Sequence, residues 1–331
     1  MSKLKTVVVG VGALGRHHLR WLAQLPQSQL VGLYDIDTPK AEQYAAEYGV
    51  KAFRSLEEVS AAAEVASVVV TTSAHYDVAS ELIDRGLHCL IEKPITPKMS
   101  QATKIQELAD RRGVKVTVGQ IERFNPAVRA LDNLAIHPSF IEAHRLAAFD
   151  PRGTDVAVVL DLMIHDIDLA LHFIKAPVAD IQASAVAVIS EQADIANARL
   201  TFTNGAVANL TASRISLKPM RKLRIFQREG YYSLDLANKQ ADLYRLAKPG
   251  EPVEGFKVPL GKSGREIAYT KKADTGEDML GAELGAFLDA VLNNHPVAVP
   301  VAEASEALRV ALEIKRIGLE SIDRLLQEQP R

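Results

Sequence analysis

Three glycines and a carboxylate mark the first place in this chain where chemistry is spelled out. Gly10, Gly12 and Gly15 form G-x-G-x-x-G. The triplet follows the apolar run "KTVVVG" (5–10) and opens the helix-period segment "ALGRHHLRWLAQL". In that setting the first glycine permits a tight turn and the second lets the backbone approach a pyrophosphate. The third lets helix and strand pack closely, and the helix N-terminus offers amides and a positive dipole to phosphates. Asp35 falls at the end of the next strand-like run, 20 residues past Gly15. A carboxylate there accepts from a ribose 2′-hydroxyl and repels a 2′-phosphate, which favours NAD over NADP. Arg16, beside the loop, works against that preference.

Two further places carry ionisable groups. "IEKPIT" (91–96) follows a strand-like run, and the carboxyl ends of strands are where open α/β sheets bind ligands. Lys93 in this stretch suits donation to a substrate hydroxyl, although a solvated lysine before a turn proline reads equally well. In "VVLDLMIHDIDLALHF" (158–173), Asp161, His165, Asp168 and His172 recur along an otherwise apolar helix. At about 100° per residue they share an arc of roughly 60°. Only neighbours one turn apart, about 6 Å along the axis, can cooperate. Three readings stay open: a solvated or interface stripe, a catalytic pair in which His165 takes a proton beside Asp161 or Asp168, and a metal site. No further cluster supports the metal. Upstream nicotinamide binding favours the pair, since oxidising a secondary alcohol needs a base for the hydroxyl proton.

These residues must be positioned by two kinds of element. Up to residue 119, buried-strand runs ("KTVVVG", "LVGLYD", "SVVVTT", "LHCLIE", "VKVTVG") alternate with helix-period segments. Alternation with short connections predicts right-handed βαβ units and a doubly wound parallel sheet. Beyond that point "NPAVRALDNL" (125–134) predicts a helix capped by Asn125. "FIEAHRLAAF", "DIQASAVAVIS", "NARLTF", "AVANLTAS", "KLRIFQ" and "YYSLDL" then predict strands. Asn204-Gly205 between two of them is a two-residue hairpin signal. Two helices, "MLGAELGAFLDAVLNN" and "VAEASEALRVALEIKRIGLESIDRLL", follow. The expected fold is α/β: a doubly wound domain over 1–121, then an α+β domain over 122–331 with a largely antiparallel open sheet. Such a sheet face suits self-association.

Composition excludes other classes. The 331 residues are 47% hydrophobic and 24% charged, with a formal net charge of −2. That balance gives no general affinity for nucleic acid or an anionic membrane. No apolar stretch reaches the roughly 18 residues of a membrane span. The single cysteine, Cys89, rules out an intrachain disulfide framework and fits a reducing cytosol. A cytoplasmic protein is expected.

"VVVGVGALGRHH", "TTSAHYDVASELIDRGLHCLIEKPIT" and "VLDLMIHDIDLAL" together resemble the glucose–fructose oxidoreductase / inositol dehydrogenase (Gfo/Idh/MocA) family. The resemblance covers essentially the whole chain. It implies an N-terminal Rossmann domain and a C-terminal domain whose sheet forms homodimers or homotetramers. It also implies NAD(P)-dependent oxidation of sugar or cyclitol hydroxyls. Residue by residue, it makes Lys93 the E-K-P lysine, His165 the acid/base and Asp161 its carboxylate partner. It puts Ala13, Leu14, Thr71, Thr72, His75 and Glu92 with Lys93 around the cofactor, and it implies a cis Lys93–Pro94 bond. Where many members have T-P-x-x-x-H, this chain has "TTSAH". Asp168 and His172 are left to packing.

"ERFNPAV", "RGTDVAVVLDLMIHD" and "TASRIS" resemble the branch of that family acting on UDP-N-acetylglucosamine at C3, on the way to lipid A or other surface glycans. A diphosphate would need donors such as Arg123, Asn125, Arg152 and Arg214, with Arg145 and Arg221 also available. The rival readings are an inositol or free-sugar dehydrogenase and a cofactor-binding regulator without catalysis.

Overall fold

The computed structural model describes residues 2–149, 156–248, 251–261 and 264–328, with side chains through residue 322. It divides into two compact units: Met1–Phe124 with Asp278–Leu308, and Asn125–Glu277 with Arg309–Arg331. The expected single cut near residue 121 therefore differs from the structure, in which 278–308 rejoin the first unit.

In the first unit strands and helices alternate as β1 (Leu4–Val9), α1 (Gly15–Gln24), β2 (Ser28–Tyr34), α2 (Thr38–Tyr48), β3 (Lys51–Ala52), α3 (Leu56–Ala62), β4 (Val65–Val68), α4 (His75–Asp84), β5 (His88–Glu92), α5 (Met99–Arg112) and β6 (Val116–Gly119). The six strands pair in parallel in the order β3-β2-β1-β4-β5-β6. The order reverses between β1 and β4, and a crevice opens there at the strands' carboxyl ends. β1 and β4–β6 are buried along nearly all their length, as strands covered on both faces must be. Gly49 and Gly113 end α2 and α5 in the left-handed conformation, freeing the chain to turn into the next strand. The core joins Val8, Leu19, Leu22, Leu33 and Leu90 to Leu284, Phe287 and Leu288 from the returning segment. Each fully buried side chain of this size contributes about 1.5–3 kcal/mol. β3, two residues long, was not foreseen; so brief a run carries no periodicity.

The second unit starts with one helical turn, α6 (Pro126–Arg129), where a ten-residue helix was expected. Asn125 caps it as foreseen, accepting the Ala127 amide at 3.0 Å. Then come β7 (Phe140–Leu146), a π-helical turn (Val159–Met163), α7 (Ile164–Ile174), β8 (Val178–Val186), β9 (Ile195–Phe202), β10 (Val207–Ser213), β11 (Met220–Gln227), β12 (Gly230–Asp235), β13 (Gln240–Leu246), β14 (Phe256–Pro259) and β15 (Glu266–Lys272). They form a nine-stranded sheet, β14-β15-β13-β12-β11-β7-β10-β9-β8, in which β7–β10 is the parallel pair. Asn204-Gly205 does make the β9–β10 hairpin turn, with Gly205 at φ +85°. The helices α8 (Met279–Leu292) and α9 (Val301–Glu328) end the chain. β13, β14 and β15 escaped the sequence reading, because charged residues and Pro259 interrupt their apolar alternation.

β7 alternates inward Ile141, Ala143 and Arg145 with outward Phe140, Glu142, His144 and Leu146. The outward face carries a row of rings along one register line: Phe140, Phe226, Tyr231, Tyr244, Tyr269 and Phe256. Successive centroids lie 4.8–5.6 Å apart. No described helix is long and apolar enough to cross a membrane.

Candidate active site and cofactor cleft

At the switch point between β1 and β4 lies a cleft of about 590 Å³ lined by Gly10, Gly12, Ala13, Leu14, Asp35 and Thr71, among others. Each glycine of the loop has its own geometry. Gly10 is at φ +93°, and a Cβ there would lie 2.5 Å from the Val69 carbonyl oxygen. A Cβ on Gly15 would collide with the Gly10 carbonyl, so only glycine lets α1 start this close to the strand. Gly12 is different: its Cβ would meet no protein atom within 4 Å. Leu14 stands at the N-cap of α1 without a side-chain hydrogen bond, while the Arg16 and His17 amides turn back onto the Gly12 and Leu14 carbonyls. Asp35 accepts the Val11 amide through Oδ2 at 2.7 Å and the Asp37 amide through Oδ1 at 2.9 Å. Open space over Gly12, an uncapped helix start and an anchored carboxylate fit a dinucleotide with a free ribose 2′-hydroxyl.

The remaining cofactor candidates lie behind this surface. Thr72 opens a short 3₁₀ turn (Thr72–Ala74) that leads into α4. His75 is 1% exposed. Its Nδ1 lies 2.9 Å from the Pro94 carbonyl and its Nε2 3.1 Å from that of Val70, so it ties α4 to the strand ends. Burial pushes its pKa down, against the two carbonyls, which pull it up. Glu92 is buried at the end of β5, and its Oε2 accepts the Lys93 amide at 3.2 Å. Lys93 is half-buried, and the Lys93–Pro94 bond is cis, as the family resemblance implies.

In the second unit Asp161 lies within the π turn and His165 in the first turn of α7, both half-buried. The ladder was expected on a regular α-helix. A π turn, closed by i→i+5 bonds, takes more residues per turn, so the even 100° spacing does not hold through Asp161. Such turns are frequent at functional sites. Asp168 is 1% exposed, and the His172 ring packs edge-on against Phe173. Asp166, passed over in the sequence, forms a two-pronged pair with Arg145: Nε to Oδ2 at 3.0 Å and Nη2 to Oδ1 at 2.8 Å. Both side chains are 3% exposed. The available signal was Arg145 itself: an inward position on an alternating strand demands a buried carboxylate.

The arginines expected at a diphosphate are placed variously. Arg123 donates to Glu303 and to the Ala298 carbonyl. Asn125 spends its amide on the α6 cap and on the Leu236 carbonyl at 2.9 Å. Arg214 is buried and donates to the Val156 carbonyl. Arg152 lies outside the described residues. Arg221 is exposed and stands opposite Arg145 in the β7–β11 register. Among the described residues no carboxylate lies within ion-pair distance of it. No group of three metal-ligating side chains occurs among the described residues.

Comparison with known proteins places this geometry. Residues 4–120 match the model of an oxidoreductase family with an NAD-binding Rossmann fold, and residues 140–233 match the GFO/IDH/MocA C-terminal domain. The chain is 36% identical over 326 residues to UDP-N-acetylglucosamine 3-dehydrogenase of Acidithiobacillus ferrooxidans, covering 97% of this chain and 99% of that one. A solved structure of that enzyme superposes with a TM-score of 0.88 at 34% identity, over 97% and 99% of the two chains. The scyllo-inositol 2-dehydrogenase of Bacillus subtilis is 26% identical over 65% of this chain and 68% of its own. The chain belongs to the Gfo/Idh/MocA family of oxidoreductases and carries that family's NAD-binding Rossmann domain.

Proposed function

We propose that the protein oxidises a secondary hydroxyl of a nucleotide sugar, C3 of UDP-N-acetylglucosamine, to the ketone. The near full-length relationship to the Acidithiobacillus ferrooxidans enzyme carries this reading. The loop Gly10–Gly15, Asp35 and Thr71 hold NAD, which supplies the hydride acceptor. His165 takes the hydroxyl proton, and Asp161 orients its imidazole. Lys93 polarises the same hydroxyl oxygen, which favours its deprotonation. Arg221 is offered for the diphosphate, as an exposed cation on the inward-facing register line. Arg123, Asn125 and Arg214 then shape the surrounding backbone, since each is engaged by protein partners.

The open sheet supports a second part of the reading, a homodimer or homotetramer. The row of rings from Phe140 to Phe256 is half-buried to exposed, and Phe256 is 57% exposed. A second copy would remove this stripe from water.

The test is to mix the protein with NAD⁺ and UDP-N-acetylglucosamine and follow NADH absorbance, with keto product read by mass. UDP-glucose, free N-acetylglucosamine, glucose and myo-inositol run in parallel. Oxidation of the UDP-amino-sugar alone is expected. Oxidation of inositol or free sugars instead would overturn the nucleotide-sugar assignment, and no reaction with any of them would return the regulator reading. Sedimentation of the same sample reads the oligomer.

A further inference from the structure

Beneath the Lys93 turn runs a chain of buried polar groups, of which His18 and Ser67 have no part in the roles above. His18 belongs to the face of α1 that packs inward with Gly15, Leu19 and Leu22, and it is fully buried. Its Nδ1 lies 2.7 Å from Ser67 Oγ on β4. Its Nε2 lies 3.2 Å from Glu92 Oε1 at the end of β5, in contact with the carboxylate though off the line of a hydrogen bond. The other oxygen of Glu92 accepts the Lys93 amide. On the far side Gly119 of β6 leaves the carboxylate its space, because a Cβ there would lie 2.7 Å from Oε1. One helix and three strands thus converge on a single buried carboxylate, and that carboxylate grips the backbone of Lys93.

An apolar core would be simpler to build here. A buried imidazole and a buried carboxylate each lose hydration, and hydrophobic residues of similar volume often serve stability as well or better. What an apolar replacement cannot do is fix a peptide plane. The neighbours also assign the ring: with the Ser67 hydroxyl donating to Nδ1, the Nε2 proton faces Glu92. Serine sets the imidazole, the imidazole sets the carboxylate, and the carboxylate sets the amide from which the Lys93 side chain departs.

We propose that His18 is a positioning residue for Lys93, acting through Glu92, with Ser67 holding the imidazole in register. This rests on the reading of Lys93 as the group that polarises the substrate hydroxyl. Misplacing a reacting group by about 1 Å costs on the order of 100-fold in rate. Loosening Glu92 therefore lowers kcat with little effect on KM for NAD⁺.

Two near-isosteric replacements separate positioning from packing. His18→Gln puts an amide nitrogen at the Nε2 position, facing Glu92. His18→Asn puts its amide at the Nδ1 position, facing Ser67, and leaves Glu92 unsupported. With ¹⁵N-lysine-labelled full-length protein, amide hydrogen exchange at Lys93 should quicken in His18→Asn and stay near wild type in His18→Gln. The kcat should fall about 10- to 100-fold in the first variant alone. Equal Lys93 exchange in the two variants would overturn the proposal. If His18→Asn does not fold, Ser67→Ala reads the same point: faster Lys93 exchange supports it, and unchanged exchange overturns it. The exchange comparison needs no substrate, so it decides the matter even where wild type oxidises no sugar nucleotide and the reading of Lys93 itself fails.

Discussion

Val11 donates its amide to the Asp35 carboxylate at 2.7 Å, so the residue proposed to select the ribose also closes the glycine loop onto the end of β2. The second carboxylate oxygen holds the Asp37 amide. Asp35→Ala is therefore expected to weaken NAD binding at least about 10-fold, roughly 1.4 kcal/mol. It should also narrow the discrimination against NADP. Calorimetric titration with each cofactor checks both. An unchanged preference for NAD would remove the ribose contact from Asp35.

Gly12 and Gly15 should separate folding from binding. Gly12→Ala meets no protein atom, so it should unfold like wild type in urea yet lose most of its NAD affinity. Gly15→Ala runs into the Gly10 carbonyl and should lose stability first. If Gly12→Ala binds NAD normally, the pyrophosphate does not approach at Gly12.

Lys93→Ala and His165→Ala should each lower kcat by about 100-fold or more, the range for removing a positioned proton-transfer or charge-stabilising group. NAD affinity should stay near wild type in both. Steady-state NADH production beside a binding titration separates the two effects. Near wild-type turnover in either variant would end that residue's assignment.

Arg145 and Asp166 form a buried pair, and removing either takes from the other its two-pronged partner in the core. Arg145→Ala or Asp166→Ala should cost about 3–5 kcal/mol, read as a lower urea midpoint. The double replacement Arg145→Met with Asp166→Leu should recover much of that loss. If it does no better than the single variants, the charge account is wrong.

The pH dependence of stability has a determined sign at His75. Burial lowers its folded pKa below the usual value, so the unfolded chain takes up that proton at the higher pH. The stabilising difference is full above about pH 6.5 and declines as pH falls through the unfolded value towards the lower folded one. His88 acts in the same sense, lowered by burial first and then by Lys115. Tm should drop between pH 8 and 5.5, and less steeply in His75→Gln. Identical slopes would assign the acid sensitivity elsewhere.

The sequence was most informative where one residue type has few physical uses. Glycines at a strand–helix junction, an acidic residue ending the next strand and Asn-Gly between apolar runs all name their own geometry. The histidine face was legible as a place but not as a shape, because nothing local in "VVLDLM" announces a π turn. His18 and Ser67 were missed for another reason. Their signal, a polar residue on an apolar helix face and another within a buried strand, acquires meaning only once the sheet order sets β4 beside β5. The domain cut was invisible because α8 has the same apolar periodicity whichever unit it packs into.

That last point bears on how the chain is made. The first unit holds α8 against α1, where Gly281 lets the Trp21 ring approach its backbone. Synthesis delivers Trp21 early and Gly281 only after some 260 further residues, so the nucleotide-binding half waits, one face uncovered, while the other half is translated. The enzyme's first domain is begun first and finished nearly last.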